Sequence, residues 1–354
     1  MGLLGMALLL SILGIWLGGV FRANAPVGLG ADVAMSRFQP LWMLAGLAGC
    51  IVAGLSVNRL RPIVAWLLVA GLVLLALPFV PGLAMARNEM HRWILLPGYG
   101  DFVGVGYWGA LLLLPWLAER SSGGGNRQQA ARDGVLFAGV IILANLLIWF
   151  QRFPGLALLL NATALVLMVT GGLGRPSKAG LALLSVGCIF LQALAALRWR
   201  QAAMANGEWS GQYLQPTGIV HNVDHELVQR AIGQMGHDAI SEHAPRLLGL
   251  SLGIAVILFL SAVILIFVRL LWEIVRELPA GNQRQFVIAV SGFLVMPMLG
   301  SIAGALLPGR MLPSFAFPFL SAGFQITLTS WIAMGWVVGL PRLQPARTKF
   351  VHIA

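Results

Sequence analysis

The sequence predicts an all-α polytopic membrane protein of about ten transmembrane helices. Two observations carry that reading. Charged residues make up only 10% of the chain against 58% hydrophobic, where a soluble domain carries roughly a quarter charged residues. Apolar runs such as "MLAGLAGCIVAGLSV" and "LSLGIAVILFLSAVILIFV" recur along the whole length, and about 20 such residues cross the hydrocarbon core of a bilayer.

Spans are expected near 3–21, 41–57, 63–83, 102–118, 134–151, 154–173, 178–197, 247–271, 286–307 and 315–340. The first run is longer than the apolar core of a cleaved signal peptide and lacks its basic start, so it reads as a retained helix. Gly and Pro interrupt spans four to six and soften their limits. "RSSGGGNRQQAARD" (120–133) is a flexible polar loop between the fourth and fifth spans, and "RPSK" is a tight turn. The whole of 1–354 reads as a single membrane domain without internal repeats. Outside the spans, the segment long enough for a site is the loop 198–246 between helices 7 and 8. Within it, Val223, Leu227, Ala231 and Met235 share one helical face, which predicts an amphipathic helix lying on the membrane surface.

Arg and Lys set the orientation. With the N-terminus inside, 13 of the 23 basic residues fall in cytoplasmic segments, six in short outer loops and four in the long loop. Long loops count little in this bias, so both termini are expected in the cytoplasm and the 198–246 loop outside. The formal net charge of +11 sits mostly beside membrane ends, where it faces anionic lipid, and it calls for no nucleic acid. Cys50 and Cys188 each fall in an apolar span and read as buried thiols. No acid lies mid-span, so an ion-coupled transporter lacks its usual relay. No Walker or Rossmann glycine pattern stands in usable context, so no nucleotide is expected.

The titratable groups gather in "HNVDHELVQRAIGQMGHDAISEHAPR" (221–246), with four of the six histidines and four of the twelve acids. Imidazoles beside carboxylates suit a metal ion. His221 and His225 are four apart, and His237 and His243 flank Asp238. The spacing matches no strong metal signature, and the alternative is a solvated polar loop. Of the arginines expected on the outer side, most read as lipid anchors. Asn145, Asn161, Thr163, Gln192, Ser291, Gln325 and Thr327 are the main intramembrane polar groups, and such groups more often join helices than bind ligands.

Four stretches carry a family resemblance, in order along nearly the whole chain. "RNEMHRWILLPGYGDF" is similar to an outer loop that ends Arg-Trp-Ile. "FQRFPGLALLLNATALVLMVTGGL" is similar to a helix opening Gln-Pro-Asp-Leu-Gly-Thr-Ala, with Gln151, Gly155 and Ala157 matching. "DHELVQRAIGQMG" is similar to a segment of a large outer loop. "LLPGRMLPSFAFPFLSAGFQ" is similar to Leu-Leu-Pro…Leu-Pro-Phe-Ile-Ser-Tyr-Gly-Gly, with Pro318, Phe319, Ser321 and Gly323 matching. Together they resemble the SEDS family (shape, elongation, division and sporulation; FtsW/RodA-like), as a divergent member. The departures are definite. "VGVGYWG" stands where the family has Gln-Pro-Ser-Glu…Lys, Phe153 replaces an Asp, and the last signature carries about three extra residues.

The resemblance implies a membrane glycosyltransferase that polymerises an undecaprenyl-pyrophosphate-linked sugar, lipid II-like, into peptidoglycan strands beside a class B penicillin-binding protein. It implies Asp238 as the catalytic carboxylate, since it precedes Gly249 by the family's interval of eleven residues. Such an acid can take a proton from the acceptor hydroxyl or hold a divalent cation, Mg or Mn ahead of Zn, with His237 as a second ligand. The competing role for Asp238 is a helix N-cap. Arg92, Arg246 and Ser321 are the expected substrate contacts, the two guanidinium forks matching diphosphate oxygens. A non-catalytic scaffold for a cell-wall partner and a flippase for the lipid-linked precursor are the alternative functions.

The topology is directly testable: reporter fusions after residues 125 and 215 are expected to report opposite sides of the membrane. Reports from the same side overturn it.

Overall fold

The computed structural model describes residues 2–24, 37–87, 90–95, 102–123, 127–173, 243–306, 315–321 and 323–340, together with scattered positions between 180 and 229. Ten helices can be bounded: α1 (Gly2–Asn24), α2 (Gln39–Ser56), α3 (Val64–Ala76), α4 (Gly106–Ser122), α5 (Arg127–Phe150), α6 (Pro154–Thr170), α7 (Ala244–Leu252), α8 (Ile254–Glu277), α9 (Asn282–Leu306) and α10 (Phe324–Gly339). The described positions between 180 and 198 are helical as well, where the seventh span is expected. Each expected span therefore has a helical counterpart, and the polytopic helical reading holds.

Two limits differ from the sequence reading. The run 247–271 is two helices. Gly253, at φ +93°, breaks the chain between α7 and α8, a left-handed backbone that glycine adopts without a Cβ clash. The run 315–340 becomes helical only at Phe324, and residues 315–321 form an irregular segment with a turn. A small antiparallel sheet is also present, in the order β1 (Ala84–Arg87), β2 (Met90–Leu95), β3 (Phe102–Gly104), and β3 takes up the first residues of the expected span 102–118. Ala84 pairs with Ile94 and Trp93 with Gly104. It connects α3 to α4.

Helices in hydrocarbon gain little by burying apolar surface against one another, so close packing decides which pairs form. Small residues supply it here. Gly335 and Gly339, one turn apart on α10, press on the backbone of Cys50 and Gly54 on α2. On the same seam Gly46 accepts the Trp331 indole and Gly49 the Ile332 and Leu328 side chains. The α3–α4 contact repeats the device: a Cβ on Gly71 would lie 2.8 Å from the Gly109 carbonyl, and one on Gly109 would lie 2.9 Å from that of Gly71. α9 lies innermost of the long spans, with 56% of its apolar window buried against 22% for the third span. It touches α4, α6, α7, α8 and α10.

Buried amides join further pairs, as the sequence predicts. Asn145 on α5 and Asn161 on α6 exchange side-chain hydrogen bonds at 3.2 and 2.7 Å, and each also donates to the carbonyl four residues before it. Gln151, fully buried at the α5–α6 turn, donates to the Leu75 carbonyl near the end of α3 at 2.6 Å.

The α2–α10 seam can be measured. Gly335→Leu is expected to destabilise the protein by about 1–3 kcal/mol, the usual cost of overpacking, read as a lowered melting temperature in detergent. Gly139→Leu is the control, since a Cβ there meets nothing within 4 Å. Equal losses in the two variants would remove the seam as the cause.

Candidate functional site

With α2 and α10 locked together, the start of α2 lies beside the segment that leads into α10. Gln39 exploits that position. It is only 1% exposed. Its Nε2 donates to the Ser321 carbonyl and to Thr327 Oγ1, each at 3.4 Å, and its Oε1 accepts from the Gly323 N–H at 3.2 Å. One side chain thus ties together both ends of the 321–327 bend. Polar groups buried here must find such partners, because leaving them unmade costs more than making them gains.

Inside the bend, Ser321 is fully buried. Its Oγ accepts from the Phe317 N–H at 2.7 Å, and its own N–H donates to the Phe317 carbonyl at 2.9 Å. This reciprocal clasp holds Phe319 at φ +67°, a left-handed conformation unusual for a bulky residue. Packing keeps it there: the Phe319 ring is fully buried, 5.2 Å from Trp331 and 6.2 Å from Phe267. Ser301 on α9 donates to the Phe315 carbonyl at 2.6 Å, and the Ala316 N–H donates to the Tyr107 hydroxyl at 3.4 Å. Gln325, in the first turn of α10, donates to the Gly104 carbonyl at 2.6 Å and accepts from the Tyr107 N–H at 2.8 Å. The sheet, the start of α4, the end of α9 and the start of α10 therefore meet through one hydrogen-bonded network.

Arg246 enters this end of the bundle from α7. It is 3% exposed, and its Nη2 donates to the Gly304 carbonyl in the last turns of α9. A guanidinium there complements the carbonyl end of the α9 dipole. The sequence reading made Arg246 a diphosphate contact. Its placement makes it first a tether, holding α7 against α9. Ser321 is likewise spent on the backbone of its own turn.

The other expected residues fall differently. Arg92 lies on β2, so its backbone belongs to the sheet at this end, and its side chain is outside the described residues. Asp238 and His237 lie outside the described residues, and of the expected amphipathic helix only Gln229 is described, as helical. Among the described residues, no three His, Cys, Asp or Glu side chains gather as a metal site. Gln39 is the positioning residue that sequence reasoning missed. Its one signal is a polar side chain directly before the proline that opens an apolar run.

Two departures from the resembled pattern, the stretch VGVGYWG and Phe153, meet in an aromatic cluster. Tyr107 stands edge-on to Phe153 at 5.6 Å and to Phe293 at 6.2 Å, with interplanar angles of 82° and 84°. Tyr107, Phe153 and Phe293 are all buried. The result is an apolar floor, capped by the Tyr107 hydroxyl, beneath a polar network.

Gln39→Leu is expected to leave the Ser321, Gly323 and Thr327 groups without their partner, at a cost of at least about 1–3 kcal/mol. The measurement is thermal stability in detergent together with proteolysis around 315–323. An unchanged melting temperature and an unchanged cleavage pattern would show that the clasp carries no weight.

No protein-family profile and no curated protein matches the chain. Solved structures do. The rod shape determining protein RodA of Thermus thermophilus is 19% identical with a TM-score of 0.66, over 97% of each chain. An Asp-to-Ala variant of the same protein is 18% identical with the same TM-score, over 97% of this chain and 98% of that one. A chain from a peptidoglycan synthase complex, described for the coordination of polymerization and crosslinking, is 20% identical over 97% and 98%, again with a TM-score of 0.66. The likeness spans both chains nearly end to end, so the chain has a RodA-like, SEDS-type fold.

Proposed function

We propose that this protein is a SEDS-type glycosyltransferase of the bacterial inner membrane. Its substrate is an undecaprenyl-pyrophosphate-linked sugar, lying with its lipid tail between helices and its sugar at the outer surface. The observation that carries this reading is the tethering of α7 to α9 by Arg246. The loop bearing Asp238 runs into α7 only six residues later, and a tethered α7 gives that loop a fixed end, which supports this reading. The fold, shared along 97% of the chain with RodA, supports the same assignment.

In this reading Asp238 takes the proton from the acceptor sugar hydroxyl as that oxygen attacks the anomeric carbon of the donor. A glycosidic C–O bond forms, the bond from C1 to the diphosphate oxygen breaks, and the lipid diphosphate leaves with the electron pair. Arg92, on the sheet beside this end, is the diphosphate contact, because a guanidinium fork matches phosphate oxygens. Arg246 and Ser321 position the surrounding backbone. A divalent cation held by Asp238 and His237 would offset the diphosphate charge when bound. The similarity to a chain from a peptidoglycan synthase complex supports a penicillin-binding protein as partner. The predominance of arginine at the 57–63 and 276–284 turns supports both termini in the cytoplasm.

One observation favours a second reading, a non-catalytic protein that binds a cell-wall partner. Tyr107, in the stretch that replaces the resembled family's Gln-Pro-Ser-Glu…Lys, packs on Phe153, which replaces its Asp, so an aromatic contact stands where that pattern has charge.

One assay separates them. Purified protein in detergent, with a lipid-linked sugar donor and a divalent cation, is expected to make glycan strands, and Asp238→Asn to slow it by about 100- to 10,000-fold. Asn caps a helix about as well as Asp, so a mere cap predicts unchanged turnover. Normal turnover in the variant removes Asp238 as the catalytic residue. Absence of turnover in the unmutated protein, with a penicillin-binding partner supplied, selects the non-catalytic reading.

A further inference from the structure

At the opposite end of the bundle the structure opens a recess. It lies between the turn after α2, the end of α4, the α8–α9 turn and the end of α10, with a volume of about 560 Å³. Measured along α9 it is roughly 33 Å from the Arg246 tether, at 1.5 Å per residue. It therefore shares no wall with the site above. Its size is that of small-molecule clefts, roughly 300–1,000 Å³.

The charges around it are unevenly satisfied. Just outside, Arg120 pairs with Asp133 at 2.6 Å, and Arg269 pairs with Glu273 at 3.3 Å. The two charged groups that line the recess, Arg61 and Glu119, form no ion pair with each other or with any other described residue. Opposite charges on one cleft at the membrane boundary, held apart, match a ligand that carries both signs itself. The Asn58 and Gln283 amides line the same recess, and Gln283 sits in the first turn of α9, whose N–H groups face an anion favourably. Val64 and Phe286, both buried, supply apolar wall.

We propose that this recess is a binding site for an aminophospholipid headgroup. The phosphate lies against Arg61 and the first turn of α9, and the primary ammonium donates to the Glu119 carboxylate. The glycerol and the first acyl carbons lie on Val64 and Phe286. A lipid is the occupant because the recess borders the bilayer at the arginine-rich end, where phosphate headgroups are already concentrated. The primary amine is the discriminating group. A trimethylated headgroup keeps the charge but has no N–H to give Glu119, and a glycerol headgroup has no positive charge.

The test uses the full chain in nanodiscs of phosphatidylcholine doped with phosphatidylethanolamine or phosphatidylglycerol, with retained lipid counted by native mass spectrometry after detergent release. Phosphatidylethanolamine is expected to be retained over both others. Glu119→Gln is expected to lower its retention about tenfold and leave phosphatidylglycerol unchanged. Arg61→Gln is expected to lower both. Asn58, Arg61 and Glu119 are exposed, so the variants keep the fold, and an unchanged melting temperature verifies that. Equal retention of the three lipids overturns the proposal, as does phosphatidylethanolamine retention indifferent to Glu119→Gln. Displacement of the lipid by an equal concentration of free glycerophosphoethanolamine overturns the lipid as occupant and makes the site one for a soluble zwitterion. The glycan-strand assay is independent of all these outcomes.

Discussion

Hydrocarbon gives a helix no water to escape from and no partner for a stray polar group. Every association in this protein answers to that constraint. Where two helices must lie close, their backbones approach through glycine, as at Gly54, Gly335 and Gly339. The amide N–H groups of Asn145, Asn161 and Gln151 are each met by another amide or by a backbone carbonyl. The α2–α10 seam comes first in the hierarchy, because it brings Gln39 to the bend that opens α10. Without that register the amide would face carbonyls it could not reach.

The end of the bundle that carries this bend follows from the same order. Its polar atoms are used almost entirely on backbone: Gln39 on Ser321 and Gly323, Ser321 on Phe317, Ser301 on Phe315, Gln325 on Gly104, Arg246 on Gly304. This is a scaffold of irregular chain made rigid by side chains. Such backbone is tolerated at membrane depth only where protein encloses it. Rigid irregular backbone is also what a site for a lipid-linked substrate needs, since it offers shape without the mobility of a loop.

Much of the fold was legible in the sequence because apolar run length maps directly onto the bilayer. The misreadings share a cause. Residues 247–252 and 315–320 are as apolar as the helices that follow them, and hydropathy alone cannot see a break. Gly253 and the Pro318–Phe319 pair hold the only local clues. The sheet escaped because its strands have three to six residues, too short for alternation to stand out. Of the site, Arg246 stands out in the sequence as a cation beside an apolar run, yet its bond to Gly304 depends on a helix pairing 58 residues apart in sequence. Gln39 was invisible for the same reason, its partners lying more than 280 residues away.

The Asn145–Asn161 pair has a consequence for how the chain enters the membrane. Each amide alone is a liability in lipid, and each is the other's remedy. The two helices are joined by three residues, with Arg152 in a left-handed turn at φ +52°, so they form a tight hairpin. During synthesis α5 emerges with its amide unmatched, and the mate arrives only once α6 has followed. Release into lipid is therefore cheapest for the two helices as one unit. The insertion machinery, in this view, hands over hairpins rather than single spans along this part of the chain, and the order of synthesis becomes part of the fold's specification.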